Sequence, residues 1–264
     1  MDPNLIKAGL DSLPESTVEK ILNPTAQVLG DATGGLVRTL FSPLLMLNIY
    51  SKEKLEAFER NVHAKVNQIP NEYRDSSKLP EFLETLEKSK YKIGEDDIRI
   101  MFENLLSKTL DSRSNESITP RYSTVLSQLS SKDAIALNLI NEIRDDFSDT
   151  TLINAIPISK VLRKVSDSTG SVDMSGPVIL SSNQIFSSYT MELDNLQGLG
   201  IIDINFKSWL SDESFEKVYA SFETSSFFDF FYNSFGESDD STIVSKKGVI
   251  KFTAFGKNLL SIIN

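Results

Sequence analysis

The sequence predicts a mainly α-helical chain with a small β-ribbon: a helical N-terminal half joined to a mixed C-terminal module. Three observations carry this. Residues 94–137 repeat apolar side chains at helical spacing through three closely spaced segments. Ser, Thr, Asp and Gly then concentrate between Ser166 and Pro177, marking a loop or hinge. Beyond Ser181, one helical stripe closed by glycines precedes short segments that read as strands. The segments are residues 1–50, 51–150 and 151–264.

Residues 4–22 read as a short amphipathic helix pair broken at Pro14, and Asn23-Pro24 has the form of a helix start. Thr25 to Tyr50 is apolar and glycine-bearing, with Asp31 and Arg38 as its charges. Gly30 and Gly34 stand one turn apart, with Gly35 beside them, a spacing that lets helices approach closely. At about 1.5 Å per residue, 26–49 has roughly the length of a bilayer's hydrocarbon core. The two charges and Pro43 oppose a permanent span. The segment reads first as a buried, glycine-packed helix, and in the alternative as a hairpin that inserts in a membrane on activation.

Ser51 to Ile69 is an amphipathic helix with Leu55, Phe58, Val62, Val66 and Ile69 as its stripe. His63, the only histidine, sits at the stripe's edge and reads as packed or solvated. A polar linker leads to a helix over 80–90. The central stretch follows, with Ile98, Met101, Phe102, Leu105, Leu106 and Leu110 on one face. Glu95, Asp96 and Asp97 occupy its first turn, where exposed backbone N–H groups favour carboxylates. Thr119-Pro120 opens a second helix, and Ser130-x-x-Asp133 has the form of a capping box for a third.

In the C-terminal module, Tyr189, Leu193, Leu196 and Leu199 form a helical stripe closed by Gly198 and Gly200. Residues 201–205 (IIDIN), 215–222 (FEKVYASF) and 248–255 (GVIKFTAF) read as strands, and a last helix ends the chain. This order resembles a winged-helix domain, with 225–240 (SSFFDFFYNSFGESDD) in the wing. That run supplies the aromatics Phe227, Phe228, Phe230, Phe231, Tyr232 and Phe235. Buried on two sides they are core. Exposed, Phe227, Phe228, Phe231, Tyr232 and Phe235 form an anchor for a partner or a second subunit.

Charge narrows the partners. The net charge is −10, and Ser181 to Ser245 holds eleven acids against Lys207 and Lys217. Such a surface repels phosphate backbones. In the winged-helix resemblance, 182–199 (SNQIFSSYTMELDNLQGL) takes the place of the recognition helix; it carries Glu192 and Asp194 and has neither lysine nor arginine, so nucleic acid is not an expected partner. Lys246, Lys247 and Lys251 make a small basic spot that reads as a solvated strand end.

No catalysis is expected. The chain has no cysteine, which excludes disulfides, thiolate metal sites and cysteine nucleophiles, and one histidine cannot build a multi-histidine metal centre. It contains no G-x-x-x-x-G-K-[ST], G-x-G-x-x-G, G-x-S-x-G or H-E-x-x-H. Asp145-Asp146-x-x-Asp149 lacks the accompanying lysines expected of a nuclease site. No cofactor or metal is expected either.

The run FENLLSKTLD, a polar loop, and then TPRYSTVLSQLSSKDAIAL resemble the signature of the abortive-infection alpha family. The residues that carry the resemblance are Phe102, Asn104, Leu105, Leu106, Pro120, Gln128, Leu129, Ser130, Asp133 and Ala134. It implies a prokaryotic protein of phage defence and supplies no catalytic residues. Combined with the reading of the residues, it leads to a defence protein acting through protein–protein interaction or self-association. The alternatives are a membrane-perturbing effector using 26–50 and a winged-helix transcriptional regulator. The expected location is the cytoplasm, with peripheral contact at the inner membrane under the inserting alternative.

Overall fold

The computed structural model describes residues 41, 52–146, 155–165, 170–183, 186–235 and 241–264. Two compact units divide the chain. One comprises the chain up to Ser131 with Asn258–Asn264, the other Lys132–Lys257.

The first unit contains helices α1 (Lys52–Asn67), α2 (Leu79–Ser89), α3 (Asp96–Thr109) and α4 (Pro120–Gln128). Helix α3 packs against the other three. Its predicted stripe is the buried one: Ile98, Phe102, Leu105 and Leu106 are inaccessible to solvent. α1 contributes the buried Phe58 and Val62 to this core, and α2 the buried Phe82 and Leu86. Pro120 occupies the first turn of α4, where its missing N–H costs no helical hydrogen bond. Phe41, helical and buried, stacks edge-on against Phe58 with ring centroids 5.4 Å apart.

A charge is buried with this core. Glu103 is 2% exposed, and its carboxylate accepts a 3.0 Å hydrogen bond from Asn61 Nδ2. Lys65 and Arg99 lie 3.6 and 3.4 Å from it. Such a carboxylate is tolerated only when paired and hydrogen-bonded. The loop after α3 is held by Asp111, which takes a bidentate pair from Arg113, and the same guanidinium lies over Tyr73 at 4.7 Å. Hydrogen bonds and charge from Arg113, opposed by burial, hold the Asp111 carboxyl below its ordinary range.

The second unit corrects the expected fold class. A small ribbon does not describe it: the sheet has six antiparallel strands, ordered β4-β3-β1-β6-β5, with β2 added alongside β1. The strands are β1 (Ala155–Val165), β2 (Ser171–Asp173), β3 (Val178–Leu180), β4 (Phe186–Ser188), β5 (Ile202–Asn205) and β6 (Ser241–Phe252). The helices are α5 (Ser131–Asp146), α6 (Thr190–Gly198), α7 (Glu213–Glu223), α8 (Ser226–Phe235) and α9 (Ala254–Ile263), the last ending in the first unit. β1 and β6 pair along eleven residues, from Ala155↔Lys251 to Val165↔Ser241.

The winged-helix description fails with it. Residues 215–222 are helix α7, not a strand: Phe215, Val218, Tyr219 and Phe222 recur at i, i+3, i+4 and i+7, and all four are buried. The period therefore prevails over the aromatic and β-branched composition. Residues of the supposed wing form helix α8, and the strand expected at 248–255 starts seven residues earlier, at Ser241.

Helix α6 ends at Gly198 and, as predicted from its glycines, the turn that closes it passes through Gly200. That residue has φ of 75°, while Gly200 N–H donates to Gln197 and Ile201 N–H to Leu196. These two bonds form a Schellman motif. Thr253 then joins this turn to α9: its hydroxyl donates to the Gly200 carbonyl at 2.6 Å and accepts from Gly256 N–H at 2.9 Å. A Cβ on Gly256 would lie 2.0 Å from the Ile201 carbonyl oxygen, so only glycine fits there. Tyr219 ties α7 to the sheet by donating to the Gly248 carbonyl at 2.7 Å.

Two predictions follow from these locks. Gly256→Ala should lower stability towards the upper end of the about 1–3 kcal/mol typical of overpacking, read from urea unfolding midpoints; an unchanged midpoint would show that the turn relaxes freely. Burial pushes the Tyr219 hydroxyl up to about 12, with Glu216 adding to the rise and the Leu210 N–H opposing it. Because the folded value lies above the unfolded one, this hydroxyl's contribution is complete below about pH 10 and is lost as pH rises to about 12. Tyr219→Phe should flatten that part of the alkaline stability curve relative to the unsubstituted chain.

Candidate interaction surface

Helix α8 is built from SFFDFFYNSF. Ser225 caps it, accepting from the Phe228 N–H at 3.2 Å and donating to the Phe222 carbonyl at 2.6 Å. The second bond couples the start of α8 to the end of α7. Asp229 lies in the first turn, where its charge suits the helix dipole.

At about 100° per residue, the six aromatics of α8 sweep an arc of about 200°, from Phe230 through Phe227, Phe231, Phe235 and Phe228 to Tyr232. The supported part of the arc faces Phe222. Ring centroids of Phe227 and Phe228 lie 5.9 and 6.0 Å from that buried ring, and Phe227 and Phe231 are 5.5 Å apart. Phe222 is backed in turn by Phe186 at 5.4 Å. Helix α8 also meets β1 and β6.

This support is incomplete. No residue of α8 is buried. Phe227, Phe228 and Phe231 are half-buried, while Phe230, Tyr232 and Phe235 are 62%, 51% and 42% exposed. The core reading of the aromatic run therefore fails: Phe230 and Tyr232 lie at the two ends of the arc and Phe235 in the last turn of the helix, beyond the rings that meet Phe222. An exposed Leu or Phe by itself is ordinary; six aromatics on one unburied helix are not. Phe230, the most exposed, is missing from the residues singled out as partner contacts, and a helical wheel of 226–235 would have found it.

The other singled-out residues divide. Gly30, Asp31, Gly34, Gly35, Arg38 and Pro43 lie outside the described residues. Among the signature residues, Phe102, Leu105, Leu106, Leu129 and Ala134 are core. Asn104 donates to the Ile263 carbonyl at 2.6 Å and accepts from the Lys65 ammonium. Lys108, one turn on, donates to the Ser261 carbonyl at 2.7 Å. Two side chains of α3 thus donate to carbonyls of the last turn of α9. Asp133 is buried and accepts from Asn195 Nδ2 at 2.8 Å. Gln128 and Ser130 are exposed. The buried members of the signature, with Asn104, hold the fold.

A family model described as Abortive infection alpha matches residues 51–263. The chain belongs to this family. No curated protein and no solved structure matches it. In this Abortive infection alpha protein, no described helix is long and apolar enough to cross a membrane, and no three His, Cys, Asp or Glu side chains among the described residues group as metal ligands.

Replacing Phe230, Tyr232 and Phe235 together by serine should leave urea-unfolding stability within about 1 kcal/mol, as for other surface positions, and should reduce binding of an apolar dye. A loss of about 3–5 kcal/mol, the cost of a truncated core aromatic, would mean that the arc is packed.

Proposed function

We propose that this chain is an abortive-infection protein of phage defence that acts by protein contact through α8, without catalysis. The family supplies the setting. The observation that carries the mechanism is a capped, well-formed helix bearing six aromatics of which none is buried. Aromatic side chains dominate interface energetics because they remove a large apolar area from water at small cost in side-chain entropy. The arc is supported from behind by Phe222, which is buried, so the half-buried rings are already positioned for contact.

The test is a plaque assay in cells expressing the chain, with a phage that it restricts. The Phe230/Tyr232/Phe235 serine variant, present at normal level and folded by circular dichroism, should lose protection. Full protection by that variant would remove α8 as the contact surface.

A further inference from the structure

Charge around α8 restricts what can cover it. Between Asp212 and Asp240 the chain carries eight acids and one lysine, and of these acids Glu213 and Glu216 are paired, with Lys217 and with Lys247 of β6. Glu223, just before α8, and Asp229, on its polar side, are both exposed. A second copy of the chain would bring the same acids to the contact, and an anionic membrane or a nucleic acid would be repelled likewise. A cationic partner is attracted on approach and gains complementary charge at the rim.

The fold itself shows how a cation meets this kind of surface. Arg113 lies over the Tyr73 ring at 4.7 Å while its guanidinium holds Asp111. Lys247 lies over the Tyr219 ring at 5.2 Å and pairs with Glu216. In each case one side chain serves an aromatic face and a carboxylate together. Arginine suits this double role best, being planar, weakly hydrated and permanently charged.

We propose that the aromatic arc of α8 docks a basic protein segment, one with arginines set beside apolar side chains. This rests on the reading of α8 as the contact surface. The rings take the apolar side chains, and Glu223 and Asp229 take the arginines.

The test uses the full chain and three labelled amphipathic peptides of equal length that share one leucine stripe. Their polar faces are arginine, lysine or glutamate, and binding is read by fluorescence anisotropy at low and physiological salt. The arginine peptide should bind best, the lysine peptide less well and the glutamate peptide not at all. The Phe230/Tyr232/Phe235 serine variant should bind the arginine peptide about ten-fold more weakly or worse, with every charge retained. A second variant, Glu223→Gln with Asp229→Asn, keeps all the rings and should show a weaker salt dependence.

Equal binding of the glutamate peptide overturns the proposal. So does arginine-peptide affinity unchanged by the serine substitutions, which would mark diffuse attraction to an acidic surface. Co-sedimentation with zwitterionic or anionic vesicles that the serine variant loses would overturn it in favour of a membrane face. A concentration-dependent rise in mass that the same variant abolishes would overturn it in favour of self-association. Should that variant lose phage protection while none of the peptides binds, the contact reading stands and the basic partner falls.

Discussion

The eleven-residue antiparallel pairing of β1 with β6 is the interaction on which the second unit depends. Each strand has other neighbours: β1 also holds β2 and β3, and β6 also holds β5. β1 is buried over most of this length, and β6 is buried at Ser241, Ile243 and Gly248–Ile250. Helices α7 and α8 reach β1, and α8 reaches β6. β6 alternates buried and exposed side chains at its two ends, Ser241-Thr242-Ile243 and Ile250-Lys251-Phe252, so a one-residue shift would expose the buried ones there and burial favours this register. The position of the aromatic helix follows from it.

Around this ladder, hydrogen bonds fix the connections. Thr253 joins the Schellman turn at Gly200 to the start of α9, and the tight approach at Gly256 leaves no room for a side chain. Tyr219 anchors α7 by its hydroxyl, and Ser225 couples α7 to α8. The aromatic arc is thus mounted on a packed, hydrogen-bonded support while its outer rings are exposed. Exposure of this kind costs solubility and contributes nothing to the core, which is the physical reason to read it as a contact surface.

In the first unit, Glu103 and Asn104 divide the polar work of α3. Glu103 collects Asn61, Lys65 and Arg99 around a buried charge, and Asn104 satisfies a carbonyl at the end of α9. The family signature is therefore legible as structure: its apolar residues fill the core and its asparagine closes a helix end. Nothing in F-x-N-L-L announces that closure beforehand, since the donor and its acceptor are separated by 159 residues.

The local pattern alone determined helices α1 to α4, the N-terminal turn at Pro120, the glycine turn after α6 and, to within one residue, the strand expected at 201–205. Each rests on a short-range rule of period, cap or turn that neighbouring residues satisfy. The family was legible for the same reason, its signature being contiguous. The sheet was not. β1 is buried over most of its length and carries Pro157, so it shows neither clean alternation nor the composition of an interior strand. Its identity comes from pairing with a strand some eighty residues away. Likewise the aromatic run is equally apolar whether it is core or surface. Only the tertiary structure decided between them, because burial depends on which residues the fold brings against a helix, which local sequence does not encode.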